Sequence, residues 1–254
     1  MARGFGATLG SGSTDSLASA VTSANTLRSY AIWTYRNGNG GSSLGTMWDK
    51  SELIAFPDSF IHRSDTSSYR FLRKWDGADG IWDITRPGTG AWVHIGVSYD
   101  GSSTSNAPVV YFNGSSQTVN LVTAPTGALE TVADRYIVGN RLIDSGRVWD
   151  GSLAEFAVWD AILPAEDFAA LSNGLCPLLL RPTTLVEYIP MLGPTNSYIA
   201  GATTLVGTAV QPHPRMHYPA RRRIFLPAVV AGAGRPALVG GKLTNSLLLG
   251  GLVR

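Results

Sequence analysis

The run W-V-H-I-G-V-S-Y at 92–99 is followed by V-V-Y-F at 109–112, Y-I-V at 136–138 and L-A-E-F-A-V-W at 153–159. Between these runs stand D-G at 100–101, N-G at 113–114, G-N-R at 139–141 and D-G at 150–151. Short alternating or apolar runs predict β-strands, because residues two apart share one face of a strand. Asn-Gly and Asp-Gly accept positive φ cheaply and favour the tight turns that join antiparallel neighbours. The stretch therefore predicts an all-β, two-sheet antiparallel sandwich.

Outward from it, R-S-Y-A-I-W-T-Y-R at 28–36 alternates and reads as an early strand. T-M-W-D-K-S-E-L-I-A-F (46–56), S-Y-R-F-L-R-K-W (68–75) and G-I-W-D-I-T (80–85) continue the sheets, and L-V-E-Y-I-P (185–190) closes the sandwich. One short helix is expected within L-P-A-E-D-F-A-A-L-S-N-G (163–174). Pro164 suits its first turn, Glu166 and Asp167 its positive N-terminal end, and Gly174 its stop. Trp33, Trp92, Val97, Tyr111, Ile137, Phe156 and Val158 are expected to build or flank the core, with Trp33, Trp92 and Trp159 filling the space between the sheets.

The order W-V-H-I-G-V-S-Y-D-G, V-Y-F-N-G, I-V-G-N-R, R-V-W-D-G-S-L-A-E-F-A-V-W-D and N-G-L-C-P resembles a laminin-G-like member of the concanavalin-A-like jelly rolls, over residues 28–190. The resemblance implies a two-sheet jelly roll and leaves function open, since that fold serves lectins, glycosidases, adhesion modules and virion proteins.

The chain has 254 residues, 44% hydrophobic and 15% charged, with 29 glycines, which suits one β-rich domain with many turns. No stretch reaches the roughly 18 apolar residues of a membrane helix. The opening M-A-R-G-F-G-A-T-L-G-S-G-S lacks an apolar core, so no secretory signal is expected. Cys176, the single cysteine, reads as a buried, inert thiol. The net charge of +2 divides unevenly: residues 1–187 hold 18 acidic and 13 basic residues, and residues 188–254 hold 7 basic residues and no acid. The expected organisation is an N-terminal arm or first strand at 1–27, the jelly roll at 28–210, and an extended basic and apolar assembly arm at 211–254. In that arm Arg221, Arg222 and Arg223 precede Ile224, Phe225 and Leu226, and Leu247, Leu248 and Leu249 follow. The arginines suit inter-subunit salt bridges better than nucleic acid, since no aromatic ladder accompanies them.

Several motifs bear on chemistry. G-S-S-L-G at 41–45 has the form of a nucleophile elbow around Ser43, but the strand before and helix after are missing, so a loop is expected. His213 and His217 have H-x-x-x-H spacing, yet Pro212 and Pro214 forbid the helix that would align them on a metal. Retaining glycosidases need two carboxylates about 5 Å apart. Glu155 and Asp160 fall on opposite faces of an ideal strand, and Asp76 and Asp79 lie in a turn. No catalytic residue is expected. Trp48, Trp75, Trp82 and Trp149 are the candidates for a sugar-stacking platform. No cofactor is expected; calcium, if bound, would be held by the loop oxygens of Asp100, Asn113 and Asp134.

The passage from N-G-L-C-P into R-P-T-T-L-V-E-Y-I-P and T-A-V-Q-P-H-P, with its basic, apolar, Gly-rich end, resembles structural proteins of tailed bacteriophages. That resemblance implies a non-enzymatic virion protein, a capsid decoration or cement protein or another head or tail accessory protein. It would be made in the host cytoplasm, with other virion proteins and copies of itself as partners. The alternative is a non-catalytic carbohydrate-binding or adhesion module with a host-surface glycan as partner, and a glycoside hydrolase comes third. Neither a membrane nor nucleic acid is an expected partner.

Overall fold

The computed structural model describes residues 2–6, 15–22, 25–50, 58–63, 65–131, 133–141, 146–191 and 204–218. Its strands run, in chain order, β1 (Ala2–Phe5), β2 (Ser16–Thr22), β3 (Leu27–Arg36), β4 (Thr46–Asp49), β5 (Asp58–Arg63), β6 (Ser68–Arg73), β7 (Gly80–Thr85) and β8 (Trp92–Asp100). Then come β9 (Val109–Phe112), β10 (Ser115–Ser116), β11 (Asn120–Thr123), β12 (Asp134–Val138), β13 (Gly151–Trp159), helix α1 (Ala165–Ser172), β14 (Leu185–Ile189), β15 (Thr204–Val206) and β16 (Ala209–Gln211). The first sheet has the order β10-β9-β8-β3-β13-β1-β16, with β14 also paired to β13. The second has the order β11-β7-β6-β5-β4-β12-β2-β15. Neighbours within both sheets are antiparallel, so the chain is an all-β sandwich of jelly-roll type with a single helix among the described residues.

Alternation decides what each sheet buries. From the first sheet Tyr30, Ile32, Val93, Ile95, Val97 and Tyr99 face inward. The second sheet answers with Trp48, Phe60, Tyr69, Phe71, Trp82 and Tyr136. Trp48 stacks on Phe60 at 4.8 Å and on Tyr30 at 5.3 Å between ring centroids, so one indole bridges the layers. Such ring pairs add about 0.5–1.5 kcal/mol beyond their buried area.

The core is not wholly apolar. Asp58, fully buried, accepts a short hydrogen bond from the Tyr30 hydroxyl and one from the Tyr136 hydroxyl at 3.2 Å, and pairs with Arg73 at 3.0 Å. Arg73 also donates to the Asn25 carbonyl at 2.9 Å. Burial, and then the Asp58 charge, raises both tyrosine pKa values above their ordinary range. A buried charge is tolerable only when paired and hydrogen-bonded in this way.

A second apolar cluster lies on the outer face of the first sheet. There α1 sets Phe168 on Tyr111, with rings stacked at 4.6 Å. A Cβ on Gly96 would stand 2.2 Å from the Phe168 ring, so only glycine lets the helix approach. Trp159 belongs to this cluster, donating to the Leu180 carbonyl at 3.0 Å. It is buried under the helix side and not between the sheets.

The N-terminal segment, expected as an arm or a first strand, is built into both sheets. Residues 1–27 carry two integrated strands: β1 lies between β13 and β16, and β2 between β12 and β15. Small Ser, Ala and Gly side chains give little apolar rhythm, and these strands form because neighbours on both sides pair their backbone groups. At the other end Gln211 closes β16, and the first compact unit runs from Met1 to Pro219. Gln211–Tyr218 is thus part of the sandwich and not of a separate arm. Arg221, Arg222, Arg223, Ile224, Phe225, Leu226, Leu247, Leu248 and Leu249 lie outside the described residues.

Candidate functional site

Register in the first sheet places two rows of residues on its outer face. In one row Trp33 lies opposite His94 on β8 and Ala154 on β13; in the next, Tyr35 lies opposite Trp92 and Ser152. Trp33 meets His94 edge to face at 5.2 Å, and Tyr35 meets Trp92 in the same manner at 5.7 Å. Trp33, Tyr35 and Trp92 are each partly exposed. His94 is 2% exposed, and burial pulls its pKa down to about 3. This ring is therefore neutral at neutral pH.

Beside the second row opens a cleft of about 250 Å³ lined by Tyr35, Asn37, Trp92, Ser152, Gln211 and Pro212. Asn37 follows β3 directly and is fixed by its backbone N–H, which donates to the Asp150 carbonyl at 2.9 Å. Gln211 and Pro212 enter from the end of β16. Arg36, between Tyr35 and Asn37, turns away to donate to the Pro87 carbonyl at 3.0 Å and is 6% exposed. Among the described residues the lining thus offers an aromatic wall, two primary amides and the hydroxyls of Tyr35 and Ser152, with no carboxylate, ammonium or guanidinium. Such a set can hold a polar, uncharged ligand through one apolar face and several hydroxyls. The described lining residues include no acid or base to cleave one.

The tryptophans proposed from sequence for sugar stacking are core residues. Trp48, Trp75, Trp82 and Trp149 are 0%, 3%, 2% and 1% exposed. Trp82 borders a smaller pocket of about 110 Å³ with Leu121 and Pro125, but at that exposure it presents no ring face. Trp33 and Trp92, two of the three expected to fill the core, are the ones that reach the surface. Parity explains the exchange: Val93, Ile95 and Val97 point inward, so Trp92 and His94 must point outward.

The candidate calcium ligands are not brought together. Asn113 Oδ1 accepts from the His94 backbone N–H at 2.8 Å, beside one end of β8, whereas Asp100 lies six residues further along, roughly 20 Å away. Asp134 belongs to the second sheet, opposite Thr22. Among the described residues no group of three or more His, Cys, Asp or Glu could hold a metal ion. No described helix is long and apolar enough to cross a membrane.

Ser43 is exposed in a 3₁₀ turn (Gly41–Ser43) with no α-helix behind it. Asp160 pairs with Arg28. Glu155 is 1% exposed, at a bulge in β13, and accepts hydrogen bonds from the hydroxyls of Tyr188 and Tyr218. The two carboxylates thus serve separate partners. The bulge means that β13 is not the ideal strand assumed from spacing. His213 Nε2 stands 2.9 Å from Glu155 Oε1, and the His217 backbone N–H donates to the Gly174 carbonyl at 2.7 Å. Cys176 is a free, buried thiol 3.5 Å from the Tyr188 hydroxyl, and burial raises its pKa.

A laminin G-type model of the Concanavalin A-like lectin/glucanases superfamily matches residues 10–169. The chain belongs to that superfamily. Among solved structures, this concanavalin A-like chain is similar to a native heptameric SAP-like pentraxin from Limulus polyphemus, at 12% identity and a TM-score of 0.52, over 67% of this chain and 81% of that one. It is also similar to a candidate carbohydrate binding protein from Bacteroides ovatus ATCC 8483, at 14% identity and a TM-score of 0.57. That match covers 84% of this chain and 60% of the other. At such identities the likeness shows the fold alone. No curated protein matches the sequence. Neither structural relative is named as a virion component.

Proposed function

We propose that the protein is a non-catalytic carbohydrate-binding module that seats a neutral sugar ring against Tyr35 and Trp92. The observation that carries this reading is the uncharged, aromatic and amide-lined cleft on the outer face of the first sheet. A pyranose has one face of C–H groups that suits an aromatic wall and a rim of hydroxyls that suits Asn37, Ser152 and Gln211. At about 250 Å³ the cleft is smaller than the ~300–1,000 Å³ of drug-sized sites, which favours a single ring. The superfamily includes lectins, and the Bacteroides ovatus protein of the same fold is named for carbohydrate binding. Hydrolysis is disfavoured because a retaining mechanism needs two carboxylates about 5 Å apart, and the described lining residues have none. A panel of immobilised glycans tests the reading: neutral oligosaccharides are retained and released intact, and sialylated or uronic acid glycans bind more weakly. Retention of acidic glycans only, or of none, would overturn it.

A role in a bacteriophage particle, as a capsid decoration, cement or other head or tail accessory protein, stands as a second proposal. It rests on the acid-free basic segment after residue 187, and it is compatible with a glycan-binding sandwich displayed on a virion. Truncation after Tyr218 is its test: the sandwich stays folded, and a truncated chain that still joins its particle fully removes the anchoring role.

A further inference from the structure

Glu155 departs from the geometry of its strand. In the middle of β13 it has φ 55, left-handed for a residue with a side chain, at the register shift between Ala154 and Ala157. Such a conformation is costly and persists where surrounding contacts over-determine it. The contacts here join distant parts of the chain. Tyr188, from β14, gives a short hydrogen bond to Oε2; Tyr218, 63 residues away, donates to Oε1 at 2.6 Å; and His213 Nε2 lies 2.9 Å from Oε1.

Two of these three partners belong to Gln211–Tyr218. That segment is held at its start by pairing of β16 with β1, and at its end where His217 N–H donates to the Gly174 carbonyl at 2.7 Å and the Cys176 N–H donates to the His217 carbonyl at 3.2 Å. Along this segment the side chains of His213 and Tyr218 reach the sheet at Glu155. Gln211 and Pro212, which form one wall of the cleft, lie immediately before His213.

We propose that Glu155 is a positioning residue for the cleft. By accepting from the Tyr218 hydroxyl and standing beside His213 it holds Pro212 in the cleft wall, next to Gln211, which β16 pairs to β1. The inference deepens the glycan-binding reading and rests on it, while the pinning itself is measured without any ligand. The bulge is what delivers the carboxylate, because a regular strand would not break register at this point.

The experiment compares the full chain with its Glu155→Gln and Tyr218→Phe variants, the latter removing one hydroxyl and leaving the strand untouched. Losing a hydrogen bond to a charged group corresponds to about tenfold or more in a local opening equilibrium. Amide exchange at His213 and Arg215–Tyr218 is expected to quicken by about that factor in both variants, while Ile95 and Val97 in β8 remain protected. Affinity for a neutral oligosaccharide is expected to fall about tenfold in each single variant and little further in the double, since both act through one contact. Unchanged exchange in both variants overturns the pinning, whatever the glycan result. Quickened exchange with undiminished affinity overturns the positioning role. A wild-type protein that retains no glycan, with exchange quickened in both variants, sinks the glycan reading and leaves the pinning of the cleft wall intact.

Discussion

The two faces of the first sheet draw on similar residues and meet different fates. On the inner face Tyr30, Ile32, Ile95 and Val97 press against a second sheet and are sealed. On the outer face the row Ala157, Ala31 and Gly96 is small, and the Phe168 ring of α1 lands on it. The next two rows turn large, with Trp33 and His94 and then Tyr35 and Trp92, and there no helix covers the sheet among the described residues. Side-chain size on an outer face therefore reports what packs there. Small residues make room for an element, and large rings that remain partly exposed make a wall for something else.

If the inner face is sealed against the second sheet, the charged residues buried from that second sheet, Asp58 of β5 and Arg73 of β6, should be the least replaceable. Asp58→Ala leaves Arg73, 4% exposed, without its carboxylate and strands the Tyr30 and Tyr136 hydroxyls. A loss of about 3–5 kcal/mol is expected in urea unfolding, the usual cost of breaking a buried pair on one side. A loss below about 1 kcal/mol would mean that water reaches this part of the core, and the contrast between the faces would fail.

The outer face is sharpened by acid. Burial holds the outer-face His94 down to about 3; on the second sheet, in β5, burial and then the Arg86 charge hold His62 down to about 4. Arg86 can only donate, so His62 Nε2 accepts from it at 2.6 Å, and Nδ1–H donates to the Asn39 carbonyl at 2.9 Å. Both folded pKa values lie below the unfolded value of about 6.5. The unfolded chain therefore binds more protons in the window between, and stability rises with pH across it. The contribution is complete above about pH 6.5 and is lost as pH falls towards 4 and 3, at roughly 1.4 kcal/mol per unit for each ring. His94→Leu should lower the acid-unfolding midpoint read by circular dichroism. An unchanged midpoint would show that the Trp33–His94 row is open to water.

Much of this fold is legible in the sequence, and the reason is the same alternation that governs the two faces. Runs such as W-V-H-I-G-V-S-Y and the G-S-L-A-E-F-A-V-W strand announce themselves because apolar residues recur at period two and turn residues bound them. β1, β2, β15 and β16 do not, since A-R-G-F, S-L-A-S-A-V-T, T-L-V and A-V-Q are short or built of small residues, and their partners are far off in sequence. The site was half legible. Parity counted from Val93 and Ile95 places Trp92 outside, and parity from Ile32 places Trp33 and Tyr35 there too; reading Trp33 and Trp92 as core because their strands alternate obscures this. Asn37, Gln211 and the Glu155 contacts were beyond reach, because the cleft joins strands β3, β13 and β16 and the bulge that aims Glu155 leaves no signature in spacing.

The mildest effect on stability is expected at the residue that matters most for binding. Trp92 is partly exposed and its ring meets Tyr35 at 5.7 Å on a face that no second sheet covers. Truncation to alanine forfeits one edge-to-face pair and part of one ring's burial, so Trp92→Ala should cost about 1–2 kcal/mol. Trp48→Ala, at a fully buried indole stacked on both Phe60 and Tyr30, should cost about 3–5 kcal/mol. Binding should rank the two the other way. Without Trp92 the cleft keeps its amides but loses the wall that orders a sugar face, and retention of neutral oligosaccharides should fall to background while the protein remains folded. Intrinsic fluorescence separates the cases directly, because a ligand that quenches the wild type should no longer do so in Trp92→Ala. Quenching that survives in that variant would move the site off the outer face.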